Sequence, residues 1–407
     1  MLNIEKFFLI EKETLSSAFF YAGMTMAYFG SLNPWFLWPL GSYYIIVSSL
    51  CIIMSMSIEA ISQKKIYTNQ TFLLPISAFA ILSCYQLIVN NGNIGGYIAN
   101  IFHIFVFLAL FRIKEDKLGK LIDILTNIMS ILLVPSILGF LLYLLGFPLP
   151  NKDAEFNDSF YTFSNYYLFL LDDRSLFSIV PRFHAVFLEP SHLGVATCLL
   201  LLTQCGRWKK PQCIIMFVAT IMTFSLEAYI LLTTLFFLNL WIHKKNFIKK
   251  LIATIILLSA AVTAAFFYNN GDNAFHDLIL LRLEVDDGEM AGNNRVTADF
   301  DTDYEQFLQS SDILIGRDMD YSYAGNAGYK VFFYENGLVG ILLLILFYTA
   351  ALLHTKNRRA LIAALILASL DFIARAFPLW YSNFIPVYFM AIAFHLPITK
   401  KTKNNEQ

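Results

Sequence analysis

The chain has 407 residues, 57% hydrophobic, 16% aromatic and only 14% charged, with a formal net charge of -1. Soluble domains carry roughly 25% charged residues, so this composition, with a mean hydropathy of +0.59, excludes an ordinary soluble enzyme and predicts a membrane protein. The near-neutral balance gives no basis for a nucleic-acid partner, and the lipid bilayer is the first partner expected.

Apolar segments recur that are long enough to cross a hydrocarbon core roughly 30 Å thick at 1.5 Å per helical residue. Helices are expected, because backbone in lipid must satisfy its own hydrogen bonds. The opening stretch MLNIEKFFLIEKETL mixes acidic and basic residues without a small-residue cleavage site, and reads as a retained interfacial segment. About twelve spans follow, near 15–31, 36–58, 71–90, 96–112, 121–146, 190–206, 211–224, 228–243, 250–268, 328–353, 360–376 and 384–398. At 211–243 a single bent or re-entrant element is the alternative to two spans. The expected fold is therefore an all-α, polytopic helical bundle, one domain over 1–407.

Alternate connections carry the cations: Lys6 and Lys12; Lys64 and Lys65; Arg112, Lys114, Lys117 and Lys120; Arg207, Lys209 and Lys210; Lys244, Lys245, Lys249 and Lys250; Lys356, Arg358 and Arg359; Lys400, Lys401 and Lys403. These are 21 of the 29 Lys and Arg, and the positive-inside rule places them and both termini in the cytoplasm. The eight left for the outer side are Lys152, Arg174, Arg182, Arg282, Arg295, Arg317, Lys330 and Arg375, six of them arginine, whose guanidinium matches phosphate and carboxylate as a rigid fork. All five cysteines lie in spans or near the inner face, so no disulfide framework is implied.

Two outer connections are long, and such loops in a compact bundle are usually functional. The first, 147–189, carries DDR at 172–174 and the aromatic run YTFSNYYLF, suited to a headgroup-level belt. The second, 269–327, holds thirteen Asp or Glu and three Arg. Its DFDTD at 299–303 imitates a calcium loop, but Tyr304 stands where the turn needs Gly and Ser310 where a bidentate Glu belongs, so a solvated acidic stretch is expected. No zinc-ligand cluster, internal repeat or phosphate-binding Gly-rich loop appears. No cofactor is called for, and any energy must arrive with the substrate.

The candidate site begins at RFHAVFLEPSHLG, residues 182–194. Pro190 suits the first position of a helix, which puts Glu189 near its N-cap at an outward-facing, anion-receptive end. Arg182 either snorkels to the headgroups or binds an anion, and Glu189 either caps the helix or acts on substrate. His184 and His192 are supporting groups or secondary candidates for a base. TFSLEAYI at 223–230 brings Glu227 to an outer corner, as a partner of an arginine or as a rim carboxylate in water. Arg295 and Arg317 either pair with neighbouring carboxylates or touch substrate. Arg375 lies one turn after Asp371 in SLDFIARAF, a spacing that suits an ion pair.

Taken in order, RFHAVFLEPSHLG, TFSLEA and SDILIGRDMDYSYAGNAGYKVFFYENGLVG resemble the O-antigen polymerase and ligase superfamily of bacterial inner membranes, over roughly residues 180–350. The most specific pieces are Arg182, Phe187, Glu189 and Ser191 in the first stretch, and Gly316, Asn326 and YENGLVG in the last. The resemblance implies a GT-C-like, metal-independent membrane glycosyltransferase acting at the periplasmic face on undecaprenyl-pyrophosphate-linked oligosaccharides, with a chain-length regulator as a further partner. A polymerase of this kind transfers the growing glycan from its lipid pyrophosphate to the non-reducing end of a new repeat unit. Ligases usually place a histidine just before the Asn of the large-loop motif; here Ala324 and Gly325 precede Asn326, which favours polymerase. Independently of the resemblance, transfer from a lipid pyrophosphate needs a base for the acceptor hydroxyl and donors for the developing charge. The residues expected to supply them are Glu189 as base, with His184 or His192 next, and Arg182, Arg295, Arg317, Arg375 and Asn326 on substrate, with Tyr321, Tyr323 and Tyr329 stacking on sugars. A ligase is the alternative in the same chemistry, and a lipid-linked oligosaccharide flippase the alternative of another class.

Overall fold

The computed structural model describes residues 4–63, 72–89, 94–156, 161–173, 181–205, 207–243, 247–271, 273, 276–281, 285–286, 289–290, 297–318 and 328–395. Helices dominate: α1 Ile4–Gly30, α2 Tyr44–Gln63, α3 Leu73–Val89, α4 Ile94–Arg112, α5 Glu115–Leu144, α6 Pro190–Thr203, α7 Pro211–Met222, α8 Leu226–His243, α9 Phe247–Phe267, α10 Ala298–Leu308, α11 Gly328–Leu352, α12 Arg358–Ala374 and α13 Tyr381–Ile392. Among the described residues, four stretches are long and apolar enough to cross a membrane: Trp35–Ile61, Glu115–Leu144, Leu226–His243 and Gly328–Leu352. The other apolar helices stand where the sequence predicts spans, and among them α3, α6 and α7 are shorter, with 17, 14 and 12 residues. α1 runs unbroken from Ile4 to Gly30, so from Ile4 onward the opening stretch is continuous with the first predicted span.

Lipid tails are as apolar as leucine, so helices in a bilayer associate through close approach of small residues and through hydrogen bonds. α1 and α2 pair in this way. The Ser48 hydroxyl donates to Gly23 O at 2.7 Å, Ser55 to Ser16 O at 2.7 Å and Ser16 to Ser55 O at 3.0 Å. At the centre lie two short helices. α6 has 14 residues, every one buried, and α13 has 12, nearly all buried. At 1.5 Å per residue they are about 21 and 18 Å long.

One end of the bundle gathers cations and their partners. Lys356 pairs with Glu115, His395 lies 3.5 Å from the same carboxylate, and Arg207 and Lys210 lie 3.9 and 3.6 Å from Asp123. Lys356 N donates to Ala391 O at 2.9 Å, which sets the end of α13 beside the start of α12.

The first long loop corrects the all-α expectation, because it folds into a three-stranded antiparallel sheet of β1 Lys152–Phe156, β2 Tyr161–Asn165 and β3 Leu170–Asp172. Alternation explains it: Phe163 and Leu170 turn inward to Leu188, against Trp38 and Phe156. Among the described residues the second long loop holds two-residue strands, β4 Val285–Asp286 paired with β5 Glu289–Met290, and then α10.

DFDTD is the first turn and a half of α10, whose cap, Thr297, accepts from Phe300 N at 3.2 Å. Phe300, Tyr304 and Phe307, at helical spacing, bury against Val331 and Tyr334 of α11. Asp301 accepts from Lys330 at 2.7 Å, and Asp303 from Tyr334 at 2.5 Å and Arg317 at 3.3 Å. The stretch is therefore a docked amphipathic helix and not a solvated acidic run.

Candidate functional site

The segment 181–189 enters α6 at the end of the bundle opposite the cation pairs, laced to three other parts of the chain. Trp35 N donates to Val186 O at 2.9 Å, Leu170 N to Ala185 O at 2.8 Å and Phe183 N to Met222 O at 3.2 Å. Ala185 and Phe224 sit at φ of 50° and 44°, the left-handed region, which costs a non-glycine residue roughly 1–2 kcal/mol. Backbone held there by its surroundings clusters at functional sites. The two quoted stretches, RFHAVFLEP and TFSLEA, are thus neighbours, each with a strained corner.

Glu189 has the extended backbone of an N-cap (φ -133°, ψ 150°), but its side chain caps nothing. It turns to Arg375: Oε2 lies 3.2 Å from Nη2 and accepts from the Ser191 hydroxyl at 2.9 Å, and Nη2 also donates to Ser191 Oγ. The guanidinium reaches two further carboxylates, with Nε 3.3 Å from Glu227 Oε1 and 3.7 Å from Asp371 Oδ1. Asn383 Nδ2 in turn donates to Asp371 Oδ2 at 2.5 Å. Five elements or their ends meet here: α6 with Glu189 and Ser191, α8 with Glu227, α12 with Asp371, the turn with Arg375, and α13 with Asn383.

The side chains of Arg375, Glu227 and Asp371 are 7%, 5% and 3% exposed, whereas Glu189 keeps 21%. Glu189 is therefore the carboxylate of the three that faces outward. Breaking a buried ion pair from one side costs about 3–5 kcal/mol, because the remaining charge is left unsatisfied. Glu227 is an arginine partner and not a rim carboxylate, and the Asp371–Arg375 pair exists but belongs to a larger cluster.

The structure separates the other candidates. Arg182 is half-buried, with Nε 3.4 Å from Thr223 O, close to the Glu227 corner. His184 is 1% exposed, edge-on to Phe163, and donates from Nδ1 to Leu188 O at 3.2 Å. Burial and the Arg182 charge push its pKa down to about 4, so at neutral pH it is an uncharged packing group. His192, 5% exposed, has Nδ1 3.4 Å from Leu32 O and stands edge-on to Trp380 at 5.0 Å, beside the Glu189 cluster. Trp380 stacks on Phe377 at 4.7 Å.

Arg317 is held by carboxylates of its own loop, Asp312 at 2.6 Å and Asp303 at 3.3 Å. Tyr329 is 44% exposed at the start of α11. Arg295, Tyr321, Tyr323 and Asn326 lie outside the described residues.

The Gly316 and YENGLVG pieces form a clasp. Gly316 (φ 90°) and Gly337 (φ 58°) face one another where α11 kinks, and a Cβ on Gly337 would stand 2.6 Å from Gly316 N and Leu314 O. Tyr85 Oη lies 2.7 Å from Ile315 O and 2.9 Å from Asn336 O, which ties the clasp to α3. Only glycine tolerates both the backbone and the contact. The clasp fixes the end of the second loop, and Gly328 then brings α11 against the backbone at Arg375.

Sequence reasoning missed Ser191 as a partner of Glu189, Asn383 as a partner of Asp371 and Trp380 as the ring against His192. Ser191 stood in the quoted stretch. Asn383 carried one signal, a polar amide in an otherwise apolar segment. Comparison with protein-family models, curated proteins and solved structures finds no match to this chain.

Proposed function

We propose that this chain is an O-antigen polymerase: a bundle of twelve spans in a bacterial inner membrane, both termini cytoplasmic, that joins undecaprenyl-pyrophosphate-linked repeat units at the periplasmic face. The observation that carries this reading is the convergence of RFHAVFLEPSHLG, TFSLEA and Arg375 on one buried charged cluster at the end away from the cation pairs. Ionisable groups inside a membrane bundle are expensive and mark function by default.

In the proposed reaction, Glu189 takes the proton from an acceptor sugar hydroxyl, and the freed oxygen pair bonds to the anomeric carbon of the lipid-linked glycan. The bond from that carbon to the pyrophosphate oxygen breaks, and its electron pair leaves with the lipid diphosphate. Arg182, 3.4 Å from the corner carbonyl of Thr223, receives the developing anion, with Arg295 assigned the same role from the sequence. Charge placed in advance where it develops lowers the barrier, and a base must stand within hydrogen-bond reach of its proton, which the partial exposure of Glu189 permits.

Deletion of the gene tests the reading. Lipopolysaccharide capped with a single repeat unit supports polymerase, whereas uncapped core with accumulating lipid-linked polymer would replace it with ligase. The burial of Arg375, Glu227 and Asp371 between helices keeps a flippase as second reading, and single lipid-linked units trapped in the inner leaflet would establish it. For the residues, Arg182→Ala, Arg182→Lys and Glu189→Gln should each abolish long chains at normal protein level. Unchanged chain length in any one removes that residue from its role.

A further inference from the structure

The geometry points to Arg375 as a positioning residue for Glu189, shared with Glu227 and Asp371, rather than as a receptor for the substrate's diphosphate. The inference rests on the proposed glycosyl transfer. A diphosphate receptor turns its guanidinium to the ligand, whereas here Nη2 donates to Glu189 and Ser191 and Nε stands 3.3 Å from Glu227 and 3.7 Å from Asp371, so a diphosphate would have to displace carboxylates already in place. The group is 7% exposed, and three carboxylates already surround it. A diphosphate brought to this place would add negative charge to an excess of negative charge.

The same arrangement suits the orientation of a base. Ser191 and Arg375 both engage Oε2 of Glu189, fixing the carboxylate by one oxygen. Were Arg375 matched to Glu189 alone, its charge would draw the carboxylate's electron pair and weaken the base. Glu227 and Asp371 share that charge at 3.3 and 3.7 Å from Nε, so less of it falls on Glu189. Asp371 is itself fixed by Asn383 on α13 and by Arg375 N, which donates to Asp371 O at 2.8 Å. The titratable groups facing the cluster are His192 on α6, His184 before it, Cys198 behind Glu227 and Tyr348 of α11 behind Asp371.

Opposite charge at this range moves a carboxylate's ionisation by about one to three pH units, and the variants shift it in opposite directions. Glu227→Gln or Asp371→Asn leaves more of the Arg375 charge on Glu189, so the acid limb of the kcat–pH profile moves down by about one unit and kcat falls about tenfold with the weaker base. Arg375→Gln moves the acid limb up by about one unit or more. Arg375→Lys keeps the limb near its place but lowers kcat, since an ammonium cannot hold three carboxylates as a fork does.

The assay uses the purified full chain in detergent with the native lipid-linked repeat unit extracted from the parent bacterium. Opposite shifts of the acid limb, with KM for that substrate within about threefold of wild type, are the expected result. A raised KM with an unmoved acid limb would make Arg375 the diphosphate receptor and overturn the inference.

A second measurement needs no turnover: thermal unfolding of Glu189→Gln, Glu227→Gln and the double variant, singles and pair, over a range of pH. Non-additive shifts in Tm are expected, because both carboxylates draw on one guanidinium. Additive shifts would dissolve the coupling even where Arg375 variants fail to fold. Coupling in a chain that polymerises nothing would overturn the polymerase reading and leave the cluster standing.

Discussion

At the scale of the residue, His184 carries a pH dependence whose sign follows from its surroundings. It is 1% exposed, donates to Leu188 O, and has its pKa pushed down to about 4 by burial and by the Arg182 charge. An unfolded histidine ionises near 6.5, so the folded chain disfavours the imidazolium. The stability this contributes is fully present above about pH 6.5 and is lost as the pH falls toward 4, an effect of roughly 3 kcal/mol at most. Melting of the detergent-solubilised chain should fall through that window. His184→Gln, which keeps a donor for Leu188 O but never charges, should flatten the fall, and an unaltered slope would assign the dependence to another group. The same numbers argue against His184 as the base, because a fully buried group cannot reach the proton of an acceptor hydroxyl.

At the scale of the element, α6 decides the geometry of the site, and the decisive position is Gly194. A Cβ there would collide with Ala228 Cβ on α8, so the glycine sets how closely the helix bearing Glu189 approaches the helix bearing Glu227. Overpacking of this kind costs typically 1–3 kcal/mol. Gly194→Val should lower the melting temperature and, by moving Glu227 from its 3.3 Å contact with Arg375, reduce chain length. Adding Ala228→Gly should restore both, and failure of that rescue would place the contact elsewhere.

This element also marks the limit of what was legible in the sequence. Pro190 and the apolar run after it located the helix start, because local chemistry sets a helix N-terminus. Asp371 and Arg375 were readable as a pair, because they lie one turn apart. That Glu189 meets Arg375 was not readable, since 186 positions separate them and no local pattern records a contact made by packing. The sheet at 152–172 was hidden for a related reason: three strands of five, five and three residues are too short to set a period-2 pattern apart from an aromatic belt.

At the scale of the whole molecule, the cation-rich connections and the proposed site occupy opposite ends, and the helix between them is short. Asp153 on β1 precedes α6 and Lys209 follows it, and both side chains are exposed. α6 has 14 fully buried residues, about 21 Å against a hydrocarbon core of roughly 30 Å. It can separate two compartments only if its outer end lies below the membrane surface, at the floor of a recess walled by longer helices such as the 30-residue α5 and 25-residue α11. Single cysteines at Asp153, Glu305, Lys209 and Arg359, each exposed, test it in a chain whose five native cysteines are replaced by alanine. A membrane-impermeant thiol reagent that crosses the outer membrane should label Asp153→Cys and Glu305→Cys in intact cells. Lys209→Cys and Arg359→Cys should react only after the inner membrane is opened, as the positive-inside rule requires. Labelling of Asp153→Cys and Lys209→Cys in the same compartment would mean that α6 does not traverse, and the proposed periplasmic site would go with it.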